Sequence, residues 1–160
     1  MISRGSALRA VRIAAGYACA VAVATIVTVG VQILRVTVID GEAWVSPAGL
    51  LGDLMPLLFF GALITSITAA PGFLGTVWLG RVLRQRGWPF FAFMGALDVF
   101  PACALFEAMS RPDYLEPGGM LFSEFPLICL PGGFVGGFVY WFVAHRVFVR
   151  ADASTSTGSV

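Results

Sequence analysis

The sequence predicts an all-α membrane protein in which four transmembrane helices form an antiparallel bundle with both termini on the cytoplasmic side. Three observations lead to this prediction. Apolar residues make up 58% of the 160-residue chain and charged residues only 12%, whereas soluble proteins carry about 25% charged residues. Four stretches are long and apolar enough to cross a bilayer, and arginine is concentrated in alternate segments between them. A soluble domain of this size has too small an interior to bury so much apolar surface.

The four apolar stretches define the domain. A helix needs about 20 predominantly apolar residues to cross the hydrocarbon layer. The stretches that reach this length cover residues 11–34, 54–79, 88–109 and 125–148. We expect residues 1–150 to form a single four-helix transmembrane domain, followed at 151–160 by a short, polar, disordered cytoplasmic tail.

Arginine placement predicts which side of the membrane each connecting segment faces. Eight arginines lie before or at the start of the first span, between the second and third spans, and at or after the end of the fourth: Arg4, Arg9, Arg12, Arg81, Arg84, Arg86, Arg146 and Arg150. The two other segments carry only Arg35 and Arg111 together with six of the acids. Cytoplasmic segments collect arginine, so both termini are predicted to be cytoplasmic. All ten basic residues are arginine, a bias typical of GC-rich bacterial genomes, and the expected location is the bacterial inner (cytoplasmic) membrane.

The first outer loop, residues 35–46, has two interpretations. Two β-prone runs flank Asp40-Gly41, a pair typical of the type I′ turn of a short β-hairpin. A two-stranded hairpin alone is only marginally stable in water. The alternative is an extension of the first helix that ends at Asp40-Gly41.

Three prolines are expected to bend the spans that contain them. Pro71 lies in the second span, Pro101 in the third and Pro131 in the fourth. Each removes a backbone donor and clashes with the preceding helical turn, so we expect helices 2–4 to be kinked at proline.

Glycines in the fourth span predict how the helices pack. They form two overlapping Gly-xxx-Gly pairs, Gly132/Gly136 and Gly133/Gly137. Small residues decide contacts between helices in lipid because they let the backbones approach closely. We expect this glycine face to pack on a neighbour in the same chain, with a homodimer seam as the alternative.

Asp98 is predicted to lie at the middle of the third span. It follows Trp88 by ten residues, which is roughly 15 Å at 1.5 Å per residue, and this depth is near the bilayer midplane. A carboxylate there is costly and usually faces protein or a water-filled cavity. The same count brings three hydroxyl residues of the second span to this depth as predicted donors to the acid: Thr65, Ser66 and Thr68.

Two other polar residues have simpler interpretations. Glu107 follows Asp98 by nine residues, about two and a half helical turns, so the two acids are expected to point in opposite directions. Glu107 is predicted to reach the outer interface or to pair with Arg111. His145 is the single histidine and is expected at the cytoplasmic interface, because haem and metal sites need more ligands than one.

The chain has three cysteines, and no two of them form a Cys-x-x-Cys motif. The absence of this motif disfavours a thiol oxidoreductase. By depth, Cys103 and Cys129 fall at a similar level in the outer third of the membrane. Buried free thiols are the expected state, and a disulfide between these two is the alternative.

The sequence contains no pattern typical of an enzyme, a bound cofactor, a metal site or a nucleic-acid surface. The expected partners are the lipid bilayer and, as further candidates, a second copy of the chain or other membrane subunits. Two functional hypotheses remain. The first is a non-enzymatic structural or accessory subunit of a membrane assembly, in which Asp98 only joins helices. The second is a small proton- or cation-coupled transporter or channel that uses Asp98.

Overall fold

The computed structural model of the protein describes residues 4–38, 50–84, 87–110 and 124–147. Regular structure within these ranges is entirely helical, and no strand occurs in them. The elements in chain order are α1 (Arg4–Val38), α2 (Leu50–Val82), α3 (Trp88–Leu97), α4 (Val99–Ser110), α5 (Phe125–Trp141) and a π-helical turn (Phe142–Val147).

Four segments of these helices are long and apolar enough to cross a membrane: Ala10–Val38, Leu54–Val82, Trp88–Met109 and Phe125–Ala144. The third segment consists of α3 and α4 together. Helices suit this environment because every backbone donor and acceptor inside lipid needs a partner within the segment. The prediction of an all-helical, multi-pass membrane protein with four candidate spans is therefore confirmed.

The β-hairpin considered for residues 35–46 is wrong at its first strand. Helix α1 continues without interruption to Val38, so residues 36–38 are helical. These residues, two of them β-branched valines, extend an existing apolar helix. In a helix the backbone donors and acceptors form hydrogen bonds within the segment, which favours helix over strand here. The predicted turn at Asp40-Gly41 lies outside the described residues, as do Arg111 and the tail at 151–160.

The prolines are accommodated in two ways. Helix α2 runs through Pro56 and Pro71, and α5 runs through Pro131. The third span is instead interrupted at Asp98, between α3 and α4. Pro101 lacks the N–H that would pair with the carbonyl four residues earlier, and this loosens the helix locally.

The interruption at Asp98 is confined to a single residue. Its backbone N–H donates to the Met94 carbonyl at 2.9 Å, and its carbonyl accepts from the Ala102 N–H at 3.1 Å. Helices α3 and α4 therefore continue one another, with Asp98 at their junction.

Helix α5 approaches α1 through one row of its glycines. A methyl group placed on Gly132 would lie 2.8 Å from the Ala24 carbonyl oxygen, and one on Gly136 would lie 3.1 Å from the Ala20 carbonyl oxygen. On α1 the contact also includes Gly16, which packs on the Tyr140 ring. Backbone-to-backbone packing of this kind leaves no room for a side chain.

A second row of glycines brings α5 against α3. A methyl group on Gly133 would lie 2.5 Å from the Gly95 carbonyl oxygen, and one on Gly137 would lie 3.1 Å from the Ala92 Cα atom and overlap the Phe91 carbonyl. The four glycines of α5 therefore face two helices of the same chain.

Helix α2 meets its neighbours through side chains. A methyl group placed on Gly61 would lie 3.2 Å from the Thr25 methyl group, and one on Gly80 would lie 3.3 Å from the rings of Phe90 and Phe91. In its most apolar window only 6% of the residues are buried, compared with 17% to 22% in the other three spans. The exposed side chains of α2 are large and apolar, as a surface in contact with lipid requires.

We predict that Gly137→Ala destabilises the fold by about 1–3 kcal/mol, the usual cost of forcing an extra carbon into a packed contact. The measurement is the free energy of unfolding of the purified protein in mixed detergent micelles. The matched control is Gly30→Ala in α1, because nothing lies within 4 Å of a methyl group placed there. The control should be neutral or more stable, since alanine favours helices over glycine by about 0.5–1 kcal/mol. Equal stability of the two variants would contradict this packing.

Candidate functional site

A cavity of about 300 Å³ lies between the helices and is lined by residues of all four spans. On α1 its lining extends from Tyr17 to Val29, and on α2 from Gly61 to Thr76, so the cavity is roughly 20 Å long at 1.5 Å per residue. Most of the lining consists of carbon atoms from apolar and aromatic side chains. Among the lining residues, Asp98 is the only one with a carboxylate.

Asp98 packs against Gly72 of α2. A methyl group placed on Gly72 would overlap Oδ1 of the Asp98 carboxylate and would lie 3.0 Å from Oδ2. Oδ1 is buried and has no hydrogen-bond partner among the described residues. The carboxylate therefore occupies a space that exists only because residue 72 has no side chain.

The predicted donors to Asp98 make other bonds. The Ser66 hydroxyl donates to the Leu63 carbonyl at 2.8 Å, and the Thr68 hydroxyl donates to the Ile64 carbonyl at 3.0 Å. Thr65 and Thr68 line the same cavity as Asp98. Two of the three hydroxyls are thus bonded within their own helix, and the residue of α2 in contact with the acid is Gly72.

Four aromatic rings form a cluster on the cavity wall, which we call the aromatic cluster: Tyr17, Phe73, Phe91 and Tyr140. Ring centroids are 4.4 Å apart for Tyr17 and Phe73, 4.8 Å for Phe73 and Tyr140, and 5.5 Å for Phe91 and Tyr140. The cluster is close to the acid, because Phe73 follows Gly72 in the chain and all four rings line the same cavity as Asp98. The Tyr17 hydroxyl donates to the Ser66 carbonyl at 2.6 Å and thereby ties α1 to α2.

The other predicted polar positions lie away from this carboxylate. Glu107 is not among the residues that line the cavity, and the side chain of His145 is outside the described part of the chain. Far along the bundle from the aromatic cluster, Arg35 at the end of α1 forms an ion pair with Glu124, which precedes α5. Within the described ranges, no group of three or more His, Cys, Asp or Glu residues could hold a metal ion.

Cys103 and Cys129 meet on the cavity wall. Both residues line the cavity, their thiols are close enough to interact, and both are free cysteines. Cys103 belongs to α4 and Cys129 to α5, so the pair joins two helices. Cys19 is exposed.

Sequence reasoning missed Gly72 and the aromatic cluster. The sequence contains one signal for Gly72, its position directly after Pro71, where we predicted only a kink. Nothing in the spacing of Tyr17, Phe73 and Tyr140 distinguishes them from other aromatic residues in apolar helices.

Comparisons of the chain with models of known protein families, with functionally curated proteins and with solved structures found no match.

We predict that a membrane-permeable thiol oxidant such as diamide links Cys103 to Cys129 within one chain. Two thiols give one disulfide, and diamide takes up the two electrons and two protons as it becomes the hydrazine. Peptide mapping by mass spectrometry should find the linked peptides with a mass lower by two hydrogens. Cys19→Ser should still form the link and Cys103→Ser should not. The contact would be refuted if both thiols remained open to alkylation in the unfolded chain after oxidation.

Proposed function

We propose that this protein is a small, non-enzymatic membrane transporter that exchanges a proton for a cation at Asp98. One observation carries the proposal: Oδ1 of Asp98 is buried on the cavity wall without a hydrogen-bond partner among the described residues. An oxygen in this position is free to hold a proton or to face a bound cation.

Electroneutrality explains why one acid is sufficient for exchange. A bare carboxylate is costly at the membrane midplane, whereas a protonated acid and a carboxylate paired with a cation are both neutral. Asp98 therefore holds either the proton or the cation but not both, and neither of these two states leaves a bare carboxylate in the membrane. Coupling between proton and cation follows from this competition at Asp98.

The other hypothesis, an accessory subunit in which Asp98 only joins helices, has less support. An acid with that role stabilises a membrane protein by bonding to a neighbouring helix. The nearby hydroxyls of Ser66 and Thr68 bond to their own helix, and the neighbour of the carboxylate on α2 is a glycine. Exposed apolar side chains on the spans support contact with lipid, and a homodimer or other subunits would have to bind that same surface.

We further propose an antiparallel bundle, kinked at Pro71, Pro101 and Pro131, in a bacterial inner membrane with both termini in the cytoplasm. The arginine asymmetry supports this orientation. The aromatic cluster supports the antiparallel arrangement, because it joins the first half of α1, the later part of α2, the start of α3 and the end of α5.

The orientation predicts that green fluorescent protein fused after Val160 fluoresces in the bacterial cytoplasm. Alkaline phosphatase fused at the same point should be inactive, because it requires the oxidising exterior. Fusions at position 116, in the second outer loop, should give the reverse pattern. An active phosphatase at Val160 would overturn the proposed orientation.

Exchange at Asp98 predicts that dicyclohexylcarbodiimide, which modifies protonated carboxyl groups in apolar surroundings, labels this residue. Mass spectrometry of the protein in native membranes should find one carbodiimide adduct on the peptide that contains Asp98. Labelling should decrease as the pH is raised, because the reaction requires the proton.

Two variants make the result specific. Asp98→Asn should lose the adduct, and Glu107→Gln, which removes the other acid of the same span, should retain it. Absence of an adduct on Asp98 in the folded wild-type protein would contradict the proposed exchange. An equal adduct yield in the Asp98→Asn variant would do the same.

A further inference from the structure

We propose that the cation exchanged at Asp98 is a lipophilic organic cation, bound between the carboxylate and the aromatic cluster. This inference rests on the proposed exchange and adds the chemical class of the substrate. It follows from which groups surround the acid and from the shape of the cavity.

The surroundings of Asp98 do not suit an inorganic cation. Such ions need several oxygen ligands to replace their water, six to eight for Ca²⁺ and an octahedral set for Mg²⁺. Beside the carboxylate lies the carbon surface of Gly72, and the cavity lining contains no second carboxylate among the described residues. A cation that carries its own apolar shell needs no such set of oxygens.

The aromatic cluster supplies the second element of recognition. Faces of tyrosine and phenylalanine rings attract cations within about 6 Å of the ring centroid, and the attraction is stronger away from water. The rings of Tyr17, Phe73 and Tyr140 contact one another in sequence and line the same cavity as Asp98. A diffuse positive charge can therefore contact the carboxylate and the rings together.

The cavity fits a small organic molecule. Its volume of about 300 Å³ is at the lower end of the range for small-molecule sites. Beyond the acid, the lining is carbon from residues such as Ala24, Val29 and Phe106, with scattered threonine hydroxyls. An apolar substituent of the cation would be buried along this wall.

Binding is then a proton exchange with a defined balance. The protonated Asp98 carboxyl and the cation in solution give an ion pair in the cavity and one proton released to water. No bond other than O–H breaks, and the cavity is neutral before and after.

The test uses methyltriphenylphosphonium as the cation and the full-length protein in detergent. Titration calorimetry in two buffers of different ionisation enthalpy should give saturable one-to-one binding with release of up to one proton. The neutral analogue triphenylphosphine oxide should show no saturable binding. Saturable binding of the neutral analogue with equal affinity would overturn the inference.

Matched variants separate the role of the acid from a loss of folding. Asp98→Asn should weaken binding at least tenfold and abolish proton release, and Glu107→Gln should leave both unchanged. Gly72→Ala keeps the acid but fills its space, so it should weaken binding several-fold. Its control, Gly75→Ala on the same helix, meets nothing within 4 Å and should bind as wild type. Unchanged binding in Asp98→Asn would overturn the inference.

Carbodiimide labelling distinguishes failure of this inference from failure of the proposed exchange. The cation should protect Asp98 from labelling. If Asp98 is labelled but the cation neither binds nor protects, the substrate class is wrong while the proton site stands. If Asp98 is not labelled at all, the exchange itself is wrong.

Discussion

Helix α5 can lie between α1 and α3 because two rows of glycine run along it. Consecutive residues of a helix are about 100° apart, so the row of Gly132 and Gly136 and the row of Gly133 and Gly137 face different directions. The first row meets backbone atoms of α1 and the second meets backbone atoms of α3. Lipid offers no hydrophobic gain for helix association, and the close dispersion contacts along these rows hold the three helices together.

The position of α2 follows from the same constraint. Its glycines contact the Thr25 methyl group, the Asp98 carboxylate and the Phe91 ring, all of which are side chains. Helix α2 is therefore separated from the other spans by the thickness of a side chain. The cavity lies in this separation, and the one place where α2 is approached most closely is where the acid rests on Gly72. Tight packing of three helices thus leaves room for a site beside the fourth.

Much of this architecture could be predicted from the sequence because lipid imposes simple rules. Apolar length predicted the four candidate spans, and helical periodicity predicted the two glycine rows. The residue of α2 that contacts Asp98 could not be predicted in this way. Helix α2 has 33 residues, roughly 50 Å, and it exceeds the hydrocarbon thickness of about 30 Å. Depth counted from one end of such a helix is uncertain by several residues, and the count selected Thr65 to Thr68 where the structure has Gly72.

The end of α1 illustrates a second limit, because the local strand propensity of its residues disagrees with the helix that they form. Val36 and Val38 are β-branched and favour strands in water. They follow a helix whose backbone groups are already hydrogen-bonded, so they adopt the helical conformation rather than a strand as far as Val38. Propensity scales describe chains in water, and they lose predictive value where a helix approaches the lipid boundary.

The packing also indicates which element can move in the proposed exchange. Separating α5 from α1 and α3 would pull apart backbone atoms held along two glycine rows. Moving α2 would break contacts made by side chains: the Tyr17 hydrogen bond to the Ser66 carbonyl, the two ring contacts of Phe73, and the packing of side chains on three glycines. Asp98 belongs to the third span and rests on Gly72 of α2. In the proposed exchange, a change of occupancy at Asp98 would therefore act directly on the contact between α2 and the third span.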